Sequence, residues 1–100
     1  MADKDPGESV RAHIWVSGRV QNVGFRAFVQ QVGASLGLTG WVRNVGYDQV
    51  EAVAEGPRPA VERFFVDVRA GPRASRVDEA RLEWENPTGE YANFDVRHSL

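Results

Sequence analysis

Apolar and polar residues alternate near the start of the chain: Val10, Ala12, Ile14 and Val16 are interleaved with Arg11, His13, Trp15 and Ser17. A period of two predicts a strand with one buried face, which Gly18 ends. From Gly24 the period changes. Phe25, Phe28, Val29, Val32 and Leu36 form one stripe at helical spacing, and Gly37 stops it. Thr39 to Val45 and Gln49 to Ala54 read as two strands of a hairpin turning at Gly46-Tyr47-Asp48, and Gly56-Pro57 breaks the second. Helical spacing returns with Val61, Phe64, Phe65 and Val68, bracketed by Pro59 and by Gly71-Pro72. Alternation resumes from Ser75 to Trp84, with Ala80, Leu82 and Trp84 on one side and Glu79, Arg81 and Glu83 on the other. After a turn at Asn86-Pro87-Thr88-Gly89, Phe94 and Val96 form a last short strand. Residues 1–9 are polar, contain Pro6-Gly7 and read as a flexible tail, leaving residues 10–98 as a single domain.

Strand, helix, strand, strand, helix, strand, with a short fifth strand, is the order of an α+β ferredoxin-like (split βαβ) sandwich. It predicts an antiparallel sheet of four to five strands, with two helices on one face and the other face open to solvent. A length of 100 residues fits one domain with a modest core. The fold alone does not assign a function.

Composition narrows the chemistry by exclusion. With no cysteine, disulfides, thiolate nucleophiles, zinc knuckles and iron–sulfur clusters are ruled out. No apolar run approaches the ~20 residues of a membrane span. Asp3, Lys4, Asp5 and Glu8, with no apolar segment among them, are not the start of a secretory signal, so the expected compartment is the cytoplasm. A net charge of −2 supplies no global field for nucleic acid.

The segment with chemical potential is Gly18-Arg19-Val20-Gln21-Asn22-Val23-Gly24-Phe25-Arg26. A strand that turns directly into a helix leaves main-chain N–H groups without partners, and the helix N-terminus adds its positive dipole end beside them. Gly18 and Gly24 permit unusual backbone angles, while Asn22 tolerates positive φ and is placed to cap the helix. Arg26, in the first helical turn, can reach back with a planar guanidinium that holds two phosphate oxygens at once. The segment lacks G-x-x-x-x-G-K-[ST], so it is not a nucleotide P-loop. Read from physics alone, it is either an anion cradle or an ordinary glycine-bearing turn followed by a solvated arginine.

The string G-R-V-Q-N-V-G-F-R, followed by G-W-V-R-N at residues 40–44, resembles the two signature segments of the acylphosphatase family. The likeness continues through Val50-Glu51, Ala54-Glu55-Gly56, Gly71-Pro72 with Ala74 and Val77, and Phe94-Asp95-Val96-Arg97, so that it spans residues 10–97 in order. The resemblance implies the sandwich already inferred and hydrolysis of carboxyl phosphates such as acetyl, carbamoyl and aspartyl phosphate, with neither metal nor other cofactor. By the same resemblance Arg26 is the phosphate-binding arginine and Asn44 positions the attacking water. The backbone amides of Arg19, Val20, Gln21, Asn22, Val23 and Gly24 are the substrate cradle. Two positions depart from the family pattern. Asn22 stands where the family carries glycine, and Gly46-Tyr47-Asp48 replaces its Asp-Gly turn. Asparagine is the replacement that best keeps positive φ, so the cradle is expected to survive.

Other candidates have plainer readings. His13 and His98 lack metal-spaced partners. Asp78, Glu79, Glu83 and Glu85 read as a solvent face, Phe25, Phe28, Phe64 and Phe65 as core stripes, and Trp41 and Trp84 as packing residues. Arg69, Arg73 and Arg76 complement the end of the second helix. The side chain of Arg19 is expected in water. Three function classes follow: a metal-free monomeric enzyme acting on a small acyl phosphate, an RNA-binding module using the open sheet face, and an anion sensor without turnover. The second lacks both the R/K-G-F/Y-G/A-F-V-x-F/Y signature and a basic surface, so no nucleic acid or membrane partner is expected.

Overall fold

A computed structural model describes residues 8–100. The elements are β1 (Ser9–Arg19), α1 (Phe25–Ser35), β2 (Thr39–Val45), β3 (Gln49–Pro57), α2 (Arg58–Ala70), β4 (Arg76–Glu85) and β5 (Phe94–Val96). The sheet order is β4-β1-β3-β2-β5, the α+β ferredoxin-like arrangement extended by one strand. Both apolar stripes do what their spacing requires. Phe25, Val29, Val61, Phe64 and Val68 pack on Val10, Ala12, Ile14, Val16, Val42, Val50, Ala52 and Ala54, so both helices cover one sheet face. Among the described residues no helix is long and apolar enough to cross a membrane.

Four expectations need correction. β1 begins at Ser9, which pairs with Pro57, one residue inside the expected tail; residues 1–7 of that tail lie outside the described residues. β3 runs through Gly56-Pro57, because Val10 and Ser9 extend the ladder that the glycine-proline pair was expected to break. β5 pairs with β2 in parallel, so the sheet is mixed and not wholly antiparallel. Trp84, read as packing, is 43% exposed because β4 is an edge strand, and the Arg58 guanidinium covers its ring at 4.3 Å.

The sheet face away from the helices is also not simply open. Residues 88–91, in the link from β4 to β5, lie over it. The Glu55 carboxylate accepts hydrogen bonds from the N–H of Thr88 at 3.0 Å, the N–H of Gly89 at 2.9 Å and the Arg11 guanidinium at 3.0 Å. Trp41 donates to the Tyr91 hydroxyl at 3.2 Å. Beside them His13 stacks on Trp15, and its ring nitrogens lie 2.6 Å from Glu51 and 2.9 Å from Glu85. Glu85 is therefore engaged by His13 and Arg11, unlike the solvent residue its alternation suggested.

Burial pushes the Glu51 carboxyl up, but bonds from His13 and Arg43 more than offset this and hold it below its ordinary range. Glu55 behaves likewise, with the Thr88 and Gly89 N–H groups and Arg11 outweighing desolvation. With both carboxyls depressed in the folded state, the unfolded chain binds protons first as pH falls. The urea midpoint is therefore expected to hold above pH about 4.5 and to decline as the pH falls through the folded values, with a shallower decline in Glu55→Gln. A midpoint independent of pH across that range would contradict the assignment.

Candidate active site

β1 ends with a bulge. Its register against β4 shifts between Ser17 and Gly18, where φ is 132° and a Cβ would lie 2.3 Å from the Arg76 carbonyl oxygen. Only glycine fits there. The Gly18 N–H donates to the Asp48 carbonyl at 3.0 Å, tying the strand end to the β2–β3 hairpin. The chain then turns through residues 20–24 into α1. Asn22 has φ 61° and Gly24 φ 75°, with negative φ at Val23 between them. Alternating hands of this kind form a main-chain nest that favours an anion. Gly24 is the N-cap of α1 with no side-chain cap bond, so Asn22 holds the turn's shape and does not cap the helix as expected.

Among the described residues, the N–H groups of residues 20–24 find no main-chain or side-chain acceptor. The first turn of α1 carries no acidic residue. Its dipole end is thus uncompensated by the protein.

A pocket of about 240 Å³ opens at this point. Val20, Asn22 and Gly24 of the turn form one wall, Phe25, Arg26 and Ala27 of α1 another, and Asn44 of β2 and Val96 of β5 close it. Ion pairs among the described residues engage Arg11, Arg43, Arg58, Arg63, Arg76 and Arg81, and Arg26 is in none of them. Asn44 lies on the helix-side face with Val42, and its Oδ1 is buried without a hydrogen-bond partner. Leaving a buried acceptor unpaired costs about 1–3 kcal/mol, a cost that a water held in the pocket would remove.

The fold thus brings together Arg26, Asn44, Val20, Asn22 and Gly24. Three of the predicted cradle residues do not line the pocket. Arg19 is exposed at the end of β1 opposite Arg76. Val23 packs against the core, and Gln21 turns its side chain to the hairpin. Val96 and Ala27 were not anticipated. Val96 enters the site only because β5 pairs with β2, which no local pattern announces. Among the described residues no cluster of three histidine, aspartate or glutamate side chains is arranged to hold a metal ion.

Comparisons with known proteins bear on the chain's family and fold. The family model described as Acylphosphatase matches residues 12–96. An acylphosphatase of Anaeromyxobacter dehalogenans is 46% identical over 97 residues, which is 97% of this chain and 99% of that protein. One from Roseiflexus sp. is 43% identical over 89 residues, 89% of this chain and 96% of that protein. The structure of an acylphosphatase from Coxiella burnetii superposes with a TM-score of 0.85 at 34% identity, covering 97% of this chain and 100% of that one.

The turn's shape is testable at Asn22. Positive φ costs an ordinary residue ~1–2 kcal/mol, and a β-branched one more. Calorimetric titration with inorganic phosphate is expected to find Asn22→Gly binding as well as the native chain. Asn22→Val is expected to bind about tenfold more weakly. Equal binding by Asn22→Val would show that the left-handed turn is not required.

Proposed function

The chain belongs to the acylphosphatase family, and from that premise we propose that the pocket between the 20–24 turn and Asn44 is where its reaction takes place. The activity is hydrolysis of an acyl phosphate to a carboxylate and inorganic phosphate. The observation that carries the siting is the meeting, in one pocket, of an arginine outside every ion pair with a buried carboxamide oxygen that has no partner, both among the described residues. In our reading the Arg26 guanidinium holds two oxygens of the phosphoryl group, and the main-chain N–H groups of the cradle hold the remainder.

An acyl phosphate is a mixed anhydride. When the bond between phosphorus and the acyl oxygen breaks, the electron pair leaves on a carboxylate that is stable without a proton, so no general acid is called for. Water attacks phosphorus in line through a loose transition state, and the protein's task is positioning and charge stabilisation. Asn44 accepts a hydrogen bond from that water and aims it, and the phosphoryl group takes the proton the water gives up. Protein groups and water complete the reaction, with no metal or other cofactor. Phosphate monoesters leave as poor alkoxides and are expected to react little. We further propose that the chain works as a monomer, and in the cytoplasm, which suits a protein without cysteine. No nucleic acid or membrane enters this reading.

Benzoyl phosphate hydrolysis tests it. Turnover is expected to be unchanged by excess chelator. Arg26→Lys keeps the charge but loses the planar fork, and is expected to lose at least ~10²-fold in kcat/KM. Asn44→Ala is expected to lower kcat by ~10²-fold while the inhibition constant of inorganic phosphate stays the same. Undiminished turnover by Arg26→Lys, or phosphate inhibition that weakens in step with kcat in Asn44→Ala, would refute the role given to that residue.

A further inference from the structure

The cradle and the water guide sit on different segments. Arg26 and the N–H donors belong to the β1–α1 connection, and Asn44 belongs to the end of β2. In-line attack depends on their relative placement, and a displacement of ~1 Å can cost ~10²-fold in rate. Something has to hold the two segments in register.

Gln21 spans them. Its side-chain Nε2 donates to the carbonyl oxygens of Gly46 at 3.0 Å and Gln49 at 3.0 Å, with that of Val45 at 3.4 Å. A carboxamide nitrogen has two N–H groups, so the two short bonds are made in full and the third carbonyl is a longer share. Val45 directly follows Asn44, and the three carbonyls frame the turn of the hairpin that carries it. The end of β1 is tied to the same turn by the Gly18 N–H, which donates to the Asp48 carbonyl. Gln21 itself does not line the pocket.

We propose that Gln21 is a positioning residue. Its carboxamide clamps the β2–β3 hairpin onto the cradle turn and so sets the distance between the Asn44 carboxamide and the phosphoryl site. The proposal rests on the reading of Asn44 as the guide of the attacking water. It differs from a backbone-amide role for Gln21, because the side chain acts on the hairpin and the main chain on the ligand.

The test is a double-mutant cycle on benzoyl phosphate hydrolysis, with phosphate inhibition measured alongside, in variants shown by circular dichroism to be folded. Gln21→Met removes the donor, and Gln21→Glu keeps the shape but presents a carboxylate to the carbonyls. Each is expected to lower kcat about tenfold or more while the phosphate inhibition constant holds. In the Asn44→Ala background the Gln21 substitution is expected to cost nothing further, because the group it positions is gone. If Gln21→Met does not fold, the cycle is run with Gln21→Glu. Three results would overturn the proposal: losses that multiply across the cycle, phosphate inhibition that weakens in proportion to kcat, or full turnover by Gln21→Glu. If Asn44→Ala alone leaves kcat intact, the water-guide reading falls and takes the proposal with it. If Asn44→Ala is slow but the losses multiply, the proposal falls alone.

Discussion

Main-chain N–H groups at a strand-to-helix turn need a partner, and in this protein the turn supplies none. Glycine at position 18 ends β1 in a bulge that no side chain would fit, and left-handed residues at positions 22 and 24 fold the chain into a nest. Among the described residues, the donors of residues 20–24 are left facing no protein acceptor. Everything proposed for the site follows from that deficit. In the proposed function an anion completes the turn; among the described residues Arg26 stands beside it in no ion pair, and the dipole of α1 adds the same sign of field.

The charged network on the opposite sheet face is joined to the pocket through the chain. Glu55 holds residues 88–89 over the sheet through their N–H groups, and the link they belong to leads on to β5. β5 pairs with β2 and delivers Val96 to the pocket wall, next to the strand that carries Asn44. An acidic residue with 4% of its surface exposed is tolerable because four hydrogen bonds satisfy its carboxylate. The core beneath is ordinary by comparison, with two helical stripes on one apolar face.

Periodicity revealed both helices, four of the strands to within a few residues, and the turn with Arg26 beside it, because those are local consequences of the chain. The resemblance carried by residues 18–26 and 40–44 pointed to Asn44, which spacing alone would not single out. What stayed hidden was non-local. Alternation on β1 and β3 marks Arg11, His13, Glu51 and Glu55 as a polar face, and a polar face reads as solvated. Nothing in that pattern says that a link more than 30 residues further along lies across Glu55. The Gln21 side chain was equally illegible, since its acceptors are carbonyls 24 to 28 residues away. β5 was visible as a strand, but its parallel partner was not, because three residues carry no signal of direction.

The most direct measurement is a two-dimensional amide NMR titration with inorganic phosphate. The main-chain resonances of residues 20–24 and the Arg26 side-chain Nε–H are expected to shift together, saturating along one binding curve. Resonances of Arg69, Arg73 and Arg76 should remain still. Shifts confined to those surface arginines, with the turn amides unmoved, would contradict the claim that unpaired main-chain donors make this site.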